Sequence, residues 1–316
     1  MLLAVWWSCL DPDAPVRPGD DAPFEFVVPG GATATGLADE LASAGLVPSE
    51  WQWRLFLWRK DASCLKAGRF EVRRSMSLRD LVSTLCGPPL PEDVPFTVVE
   101  GWRIRDIDAA LAANGWITAG AYGALAETKG VDPPFPIESP TFEGYLYPET
   151  YLVDAEPFDP ADLIDRQLRT FQDRFLARHP DLGGRTLHEV VVMASMLERE
   201  EPKPENRPLV AGILWKRIDR GTPLGVDATS RYPLAAWNDR GAFLERLRDP
   251  GDPYNSRLRP GLPPTAIGNP TLGSLEAAIA PLASEYWYYL HDAQQQLHPA
   301  RDAAAHEANR KKYGVW

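Results

Sequence analysis

The stretch from Thr186 to Pro202 constrains the fold of this chain most. Thr186 and Glu189 stand three residues apart, the spacing of a capping box that opens a helix. Apolar residues then run through to Met196 and Leu197, and Pro202, which lacks an N–H and clashes with a preceding turn, ends the helix. Val191, Ala194 and Glu198 lie three to seven residues apart and share one face. Glu198 is therefore expected to project from the buried side just where the helix stops. A carboxylate leaving an apolar face has its charged form disfavoured, so it can keep a proton and act as an acid. A surface glutamate on a fraying last turn is the other reading of the same spacing.

The rest of the chain must cover that helix. Its 316 residues suffice for one large domain or two smaller ones, and 44% hydrophobic with 24% charged residues is the composition of a soluble globular protein. A net charge of −11 argues against a nucleic-acid partner and against an anionic lipid surface, but not against a neutral glycan. Cys9, Cys64 and Cys86 show no zinc-ligand spacing, so no metal is expected. Cys64 and Cys86 could pair outside the cytoplasm; two separate buried thiols are the preferred reading.

Pro, Gly and Asp punctuate the chain. Residues 1–10 form an apolar run about half the length needed to cross a bilayer, and residues 11–23 read as a linker. Residues 24–28 alternate as a strand, residues 34–44 and 49–58 read as helices, 68–72 as a second strand and 77–86 as a third helix. Pro88-Pro89-Leu90-Pro91 marks a hinge. Beyond it, residues 96–99 read as a strand, 104–114 and 118–129 as helices, and 161–179 as one long amphipathic helix with Leu163, Leu168, Phe171 and Phe175 inward. Asn206 is placed to cap a further helix that Gly221 ends. Short helices at 275–280 and 306–313 flank an aromatic strand at 286–290. The class is α+β, divided as 1–23, 24–90 and 91–316.

Five blocks carry a more specific signal: Phe142-Glu143-Gly144-Tyr145-Leu146-Tyr147-Pro148-Glu149-Thr150-Tyr151, Ala194-Ser195-Met196-Leu197-Glu198-Arg199-Glu200, Asp227-Ala228-Thr229, Pro253-Tyr254-Asn255-Ser256 and Gly261-Leu262-Pro263-Pro264-Thr265-Ala266-Ile267-Gly268-Asn269-Pro270. In this order they resemble the endolytic murein transglycosylases, the YceG-like family, over about residues 25–316. Glu100-Gly101-Trp102-Arg103-Ile104 is similar to the block that opens the family's catalytic part. Two departures stand out. Leu224-Gly225-Val226 lacks a glutamine that many members carry, and Gln296-Leu297-His298-Pro299 reduces a Gly-Gly-His segment, which puts a role for His298 in doubt.

The resemblance implies an α+β fold with a LysM-like N-terminal subdomain ahead of a YceG-like catalytic domain. It implies cleavage of the β-1,4 bond between N-acetylmuramic acid and N-acetylglucosamine, leaving 1,6-anhydromuramic ends and releasing or terminating nascent strands. Glu198 is the expected catalytic acid. Glu143, Tyr147, Glu200, Asp227, Thr229, Tyr254 and Asn255 are the expected substrate-binding or tuning residues. No cofactor is called for. The expected partners are peptidoglycan glycan strands and peptidoglycan synthases at the membrane. Residues 1–10 would then be the truncated end of a single membrane anchor, with the catalytic part facing the periplasm or cell exterior. A non-catalytic peptidoglycan-binding or scaffold protein of the envelope is the rival reading.

Overall fold

The computed structural model describes residues 11–58, 64–90, 93–155 and 157–315, and its elements fall into two units, residues 1–93 and 94–316. In the first, β1 (Phe24–Val28) and β2 (Gly68–Val72) pair antiparallel, with Phe24 opposite Val72 and Val28 opposite Gly68. Period-two alternation buries Phe26, Val28, Phe70 and Val72 on one face. Helices α1 (Ala38–Ser43), α2 (Glu50–Leu57) and α3 (Leu78–Cys86) cover that face through Leu41, Trp53, Phe56, Leu81 and Leu85. Ser49 and Ser77 cap α2 and α3 with their side chains. Helix α1 is shorter than its sequence pattern, because the Thr33 hydroxyl accepts from the Gly36 N–H and holds residues 33–36 as a turn.

Cys64 and Cys86 form a disulfide across 22 residues. This corrects the expectation of two separate buried thiols. Cys64 is exposed and Cys86 only partly buried, so neither sits in the apolar interior that reading required.

The second unit opens with a ribbon of β3 (Asp93–Thr97) and β4 (Thr150–Asp154), extended where the Val98 N–H donates to the Glu149 carbonyl. Between these strands lie α4 (Ile104–Ala113) and α5 (Ala121–Thr128). The amphipathic helix expected over 161–179 is α6 (Pro160–Phe171) followed by a wider π-helical turn at Gln172–Leu176, with Leu163, Leu168, Phe171 and Phe175 buried on both sides of the change.

The core of the unit is α7 (Leu187–Glu200), with Val190 through Leu197 wholly inside. Its capping box forms as the sequence indicated, with Thr186 and Glu189 bonding reciprocally at 2.8 and 3.2 Å. Helices α8 (Arg207–Asp219) and α11 (Leu272–Ile279) pack beside it. Asn206 precedes α8 but makes no side-chain cap, since a 3₁₀ turn at Pro204–Asn206 leads straight into the helix. Short helices α9 (Asp227–Arg231) and α10 (Arg240–Arg246) interrupt what reads in sequence as loop. A hairpin of β5 (Tyr288–His291) and β6 (Leu297–Ala300) and helix α12 (Ala303–Tyr313) complete the unit.

Among the described residues no helix is long and apolar enough to cross a membrane. The expected anchor falls on residues 1–10, which lie outside the described residues.

Candidate active site

Three glutamates at the end of α7 have different surroundings. Glu198 pairs with Arg207, the first residue of α8, at 3.0 and 3.3 Å. It also accepts from the Thr271 N–H at 2.9 Å, the Thr271 hydroxyl at 2.6 Å and the Ser274 hydroxyl at 2.8 Å. Thr271 is the N-cap of α11, so Glu198 lies where unpaired helix N–H groups favour an anion. The side chains of the ion pair are only 9% and 7% exposed. The expected apolar surround is thus corrected. The Glu198 side chain leaves an apolar stripe but ends in a polar socket made only of donors, which bolts three helices together.

Glu200, two residues on, has a different environment. Its carboxyl accepts from the Tyr289 hydroxyl of β5 at 3.2 Å and from the Ala228 N–H of α9. Burial pushes it up to about 6, and the nearby Asp227 carboxylate adds to the shift; Tyr289, the Ala228 N–H and His291 oppose it. Glu201 follows as the C-cap of α7, its side chain 0% exposed, accepting from the Lys203 N–H and contacting Nε2 of His291, both at 2.9 Å.

The segments carrying Asp227 and Asn255 come together. The Gly225 N–H donates to the Ser256 carbonyl, and the Val226 N–H and the Thr229 hydroxyl each reach the Ser256 hydroxyl at 3.0 Å. Arg257 pairs with Asp227 at 2.6 Å. Not every expected contact residue is presented by this arrangement. Asn255 is fully buried, its amide donating to the Arg246 and Asp249 carbonyls and its oxygen accepting from the Arg257 N–H. Thr229 is equally buried, and its hydroxyl also donates to the Val226 carbonyl. Both shape the loop from inside. Tyr254 is partly exposed; its ring centroid lies 5.0 Å from that of Tyr232 and its hydroxyl 2.8 Å from that of Thr265.

Glu143 and Tyr147 are also placed by packing. Glu143, 1% exposed, accepts from the Ile104 N–H that begins α4 and from the Tyr232 hydroxyl. Burial outweighs these two donors and pushes its carboxyl up to about 8. Tyr147 lies in the main core, and its carbonyl accepts from the Tyr151 hydroxyl. The adjacent Gly144 has φ +90°, and a Cβ there would fall 2.4 Å from that of Ala266 and 2.6 Å from Cγ1 of Val191. Asn269 stitches these blocks: its side-chain oxygen accepts from the Gly144 and Leu146 N–H groups, and its amide donates to the Trp102 carbonyl.

Sequence reasoning missed Arg207, Thr271, Ser274, Tyr289 and His291. Arg207 lies close to Glu198 in sequence and was open to suspicion as a counter-ion. The other four come from segments about 70 to 90 residues away, and nothing local marks them.

Residues 26–312 match the YceG-like family model. The chain belongs to the YceG-like family. Among its relatives is the endolytic murein transglycosylase of Bacillus subtilis (strain 168), 23% identical, with 95% of this chain matched to 87% of that protein. The endolytic murein transglycosylase of Streptococcus pneumoniae serotype 2 is 24% identical over 89% of this chain, which spans 57% of that longer protein. A crystal structure of a YceG-like protein from Listeria monocytogenes superposes with a TM-score of 0.60 at 20% identity, covering 92% of this chain and 99% of that one. At that identity the likeness bears on the fold, which is YceG-like α+β.

Proposed function

We propose that this YceG-like protein is a peptidoglycan lytic transglycosylase that cleaves the β-1,4 bond between N-acetylmuramic acid and N-acetylglucosamine, with Glu200 as its acid. The observation that carries the reading is the contrast at the end of α7. Glu198 was the expected acid, but its oxygens are taken up by Arg207, Thr271 and Ser274. Glu200 combines a raised carboxyl with an acidic neighbour, Asp227. Glu198 then acts as the brace that fixes the turn carrying Glu200.

One carboxyl suffices for this chemistry. The Glu200 proton goes to the glycosidic oxygen as the C1–O bond breaks. The resulting carboxylate takes the proton of the muramic C6 hydroxyl, whose oxygen bonds to C1 and closes the 1,6-anhydro ring. No water is consumed, so the second carboxylate that activates water or attacks in hydrolases is not required. The intramolecular hydroxyl benefits from a high effective concentration. Tyr254 is the aromatic face available to a sugar ring, and Asp227, held by Arg257, keeps negative charge beside the acid.

The names of the relatives support peptidoglycan as substrate. The Cys64–Cys86 disulfide suits an oxidising, extracytoplasmic compartment. A membrane anchor in residues 1–10, a LysM-like glycan-binding role for the first unit, release of nascent strands and association with peptidoglycan synthases belong to the same proposal. The test is mass spectrometry of products formed from purified glycan strands in oxygen-18 water. Unlabelled 1,6-anhydromuramic ends are expected; labelled reducing ends would make the protein a hydrolase, and no cleavage would favour a binding or scaffold role.

A further inference from the structure

The end of α7 carries a second buried carboxylate that the cleavage scheme does not use. Glu201 has a side chain 0% exposed, and His291 of β5 is its ion-pair partner at 2.9 Å. Burying a carboxylate without a counter-charge is costly, so the geometry calls for a donor at this position. The pair lies beside the proposed acid on both sides: Glu201 follows Glu200 in the chain, and Tyr289, two residues before His291 on the same strand, donates to Glu200. The Tyr289 and His291 rings meet edge to face with centroids 6.0 Å apart.

We propose that His291 is a positioning residue for the acid: clamped to Glu201, it docks the last turn of α7 on β5 and places a positive charge beside Glu200, and that charge sets the upper pH limit of cleavage. This rests on the assignment of Glu200 made above. Other charged and titratable groups also face the pair: Arg207 donates to the Glu201 carbonyl at 3.0 Å and is itself paired with Glu198. Asp227 faces Glu200 from α9 and is itself paired with Arg257. Arg217 of α8 faces Tyr289. Asp292 at the tip of the hairpin is engaged by His298 at 2.8 Å. His291 faces Glu200 from β5, and the field of its imidazolium opposes the effect of burial on Glu200.

The test is kcat/KM on purified soluble glycan strands as a function of pH, for wild type, His291→Gln and His291→Lys. A general acid must be protonated, so activity falls as pH rises through its titration. Removing the positive charge is expected to move that fall upward by about 0.5–1 pH unit, the size of one partly screened charge nearby. His291→Lys, which keeps the charge, is expected to restore the wild-type position. The carbon-13 shift of the Glu200 carboxyl, titrated without substrate and identified by its loss in Glu200→Gln, should move in the same direction. A midpoint unmoved in both experiments, with rates lowered equally at every pH, would overturn the proposal and reduce His291 to a packing residue. Wild-type cleavage by Glu200→Gln would instead overturn the acid assignment, while the carbon-13 titration would still report on the His291 charge.

Discussion

Glu143, Asn255 and Glu198 lie in blocks that read as functional in sequence, and their surroundings separate burial from chemistry. Glu143 is almost fully buried, with its carboxyl pushed up to about 8 from 4.5. A carboxyl raised on folding binds more protons in the native state, so its contribution is fully present below pH 4.5 and is lost as pH rises to about 8. Glu143→Gln should therefore flatten the fall in stability across that window, by on the order of a few kcal/mol, read as urea midpoints at pH 5 and pH 8. Asn255→Ala removes donors from the Arg246 and Asp249 carbonyls. It should destabilise the protein by about 1–3 kcal/mol, visible as a lower melting temperature, rather than leave stability untouched as a pure substrate contact would. The spacing of Thr186, Val191 and Glu198 indicated the capped helix and the face that Glu198 leaves. It could not show how the surroundings of Glu198 and Glu200 differ, because Thr271, Ser274 and Tyr289 are supplied by segments far along the chain.

At the level of elements, the motif blocks serve first as joinery. Gly144 in its left-handed conformation, Asn269 and Ser195, whose hydroxyl accepts from the Ile267 N–H, bring the loops after β3, before β4 and before α11 onto α7. Gly144→Ala should cost more than about 2 kcal/mol, since both close contacts are to packed side chains and the backbone there is one L-residues rarely adopt; a chemical melt of the variant measures this. Strands β1 and β2 and helices α2 and α3 were legible from alternation and spacing. Strand β4, the π-helical turn after α6 and the short helices α9 and α10 were not. Each is brief, and its form depends on partners distant in sequence: β4 exists because β3 pairs with it, and α9 is tied down by Ser256.

For the whole molecule, the division at residues 93 and 94 separates a small strand-and-helix unit with its own core and disulfide from the larger unit that holds the carboxylates. Reducing Cys64–Cys86 should weaken the first unit by about 2–4 kcal/mol, as expected for a loop of this length, and leave glycan cleavage by the second nearly unchanged; parallel melts and cleavage assays with and without reductant check both halves. The central claim is that Glu200 carries the acid proton while Glu198 braces the turn beneath it. The most direct measurement compares the cleavage rates and melting temperatures of Glu200→Gln and Glu198→Gln with wild type on the same purified glycan strands. The account expects Glu200→Gln to melt like wild type and to lose about 10²–10⁴-fold in rate, as for loss of a general acid, and Glu198→Gln to lower the melting temperature because Arg207 loses its buried counter-ion. A folded Glu200→Gln protein that cleaves at the wild-type rate, beside a stable and inactive Glu198→Gln protein, would contradict it.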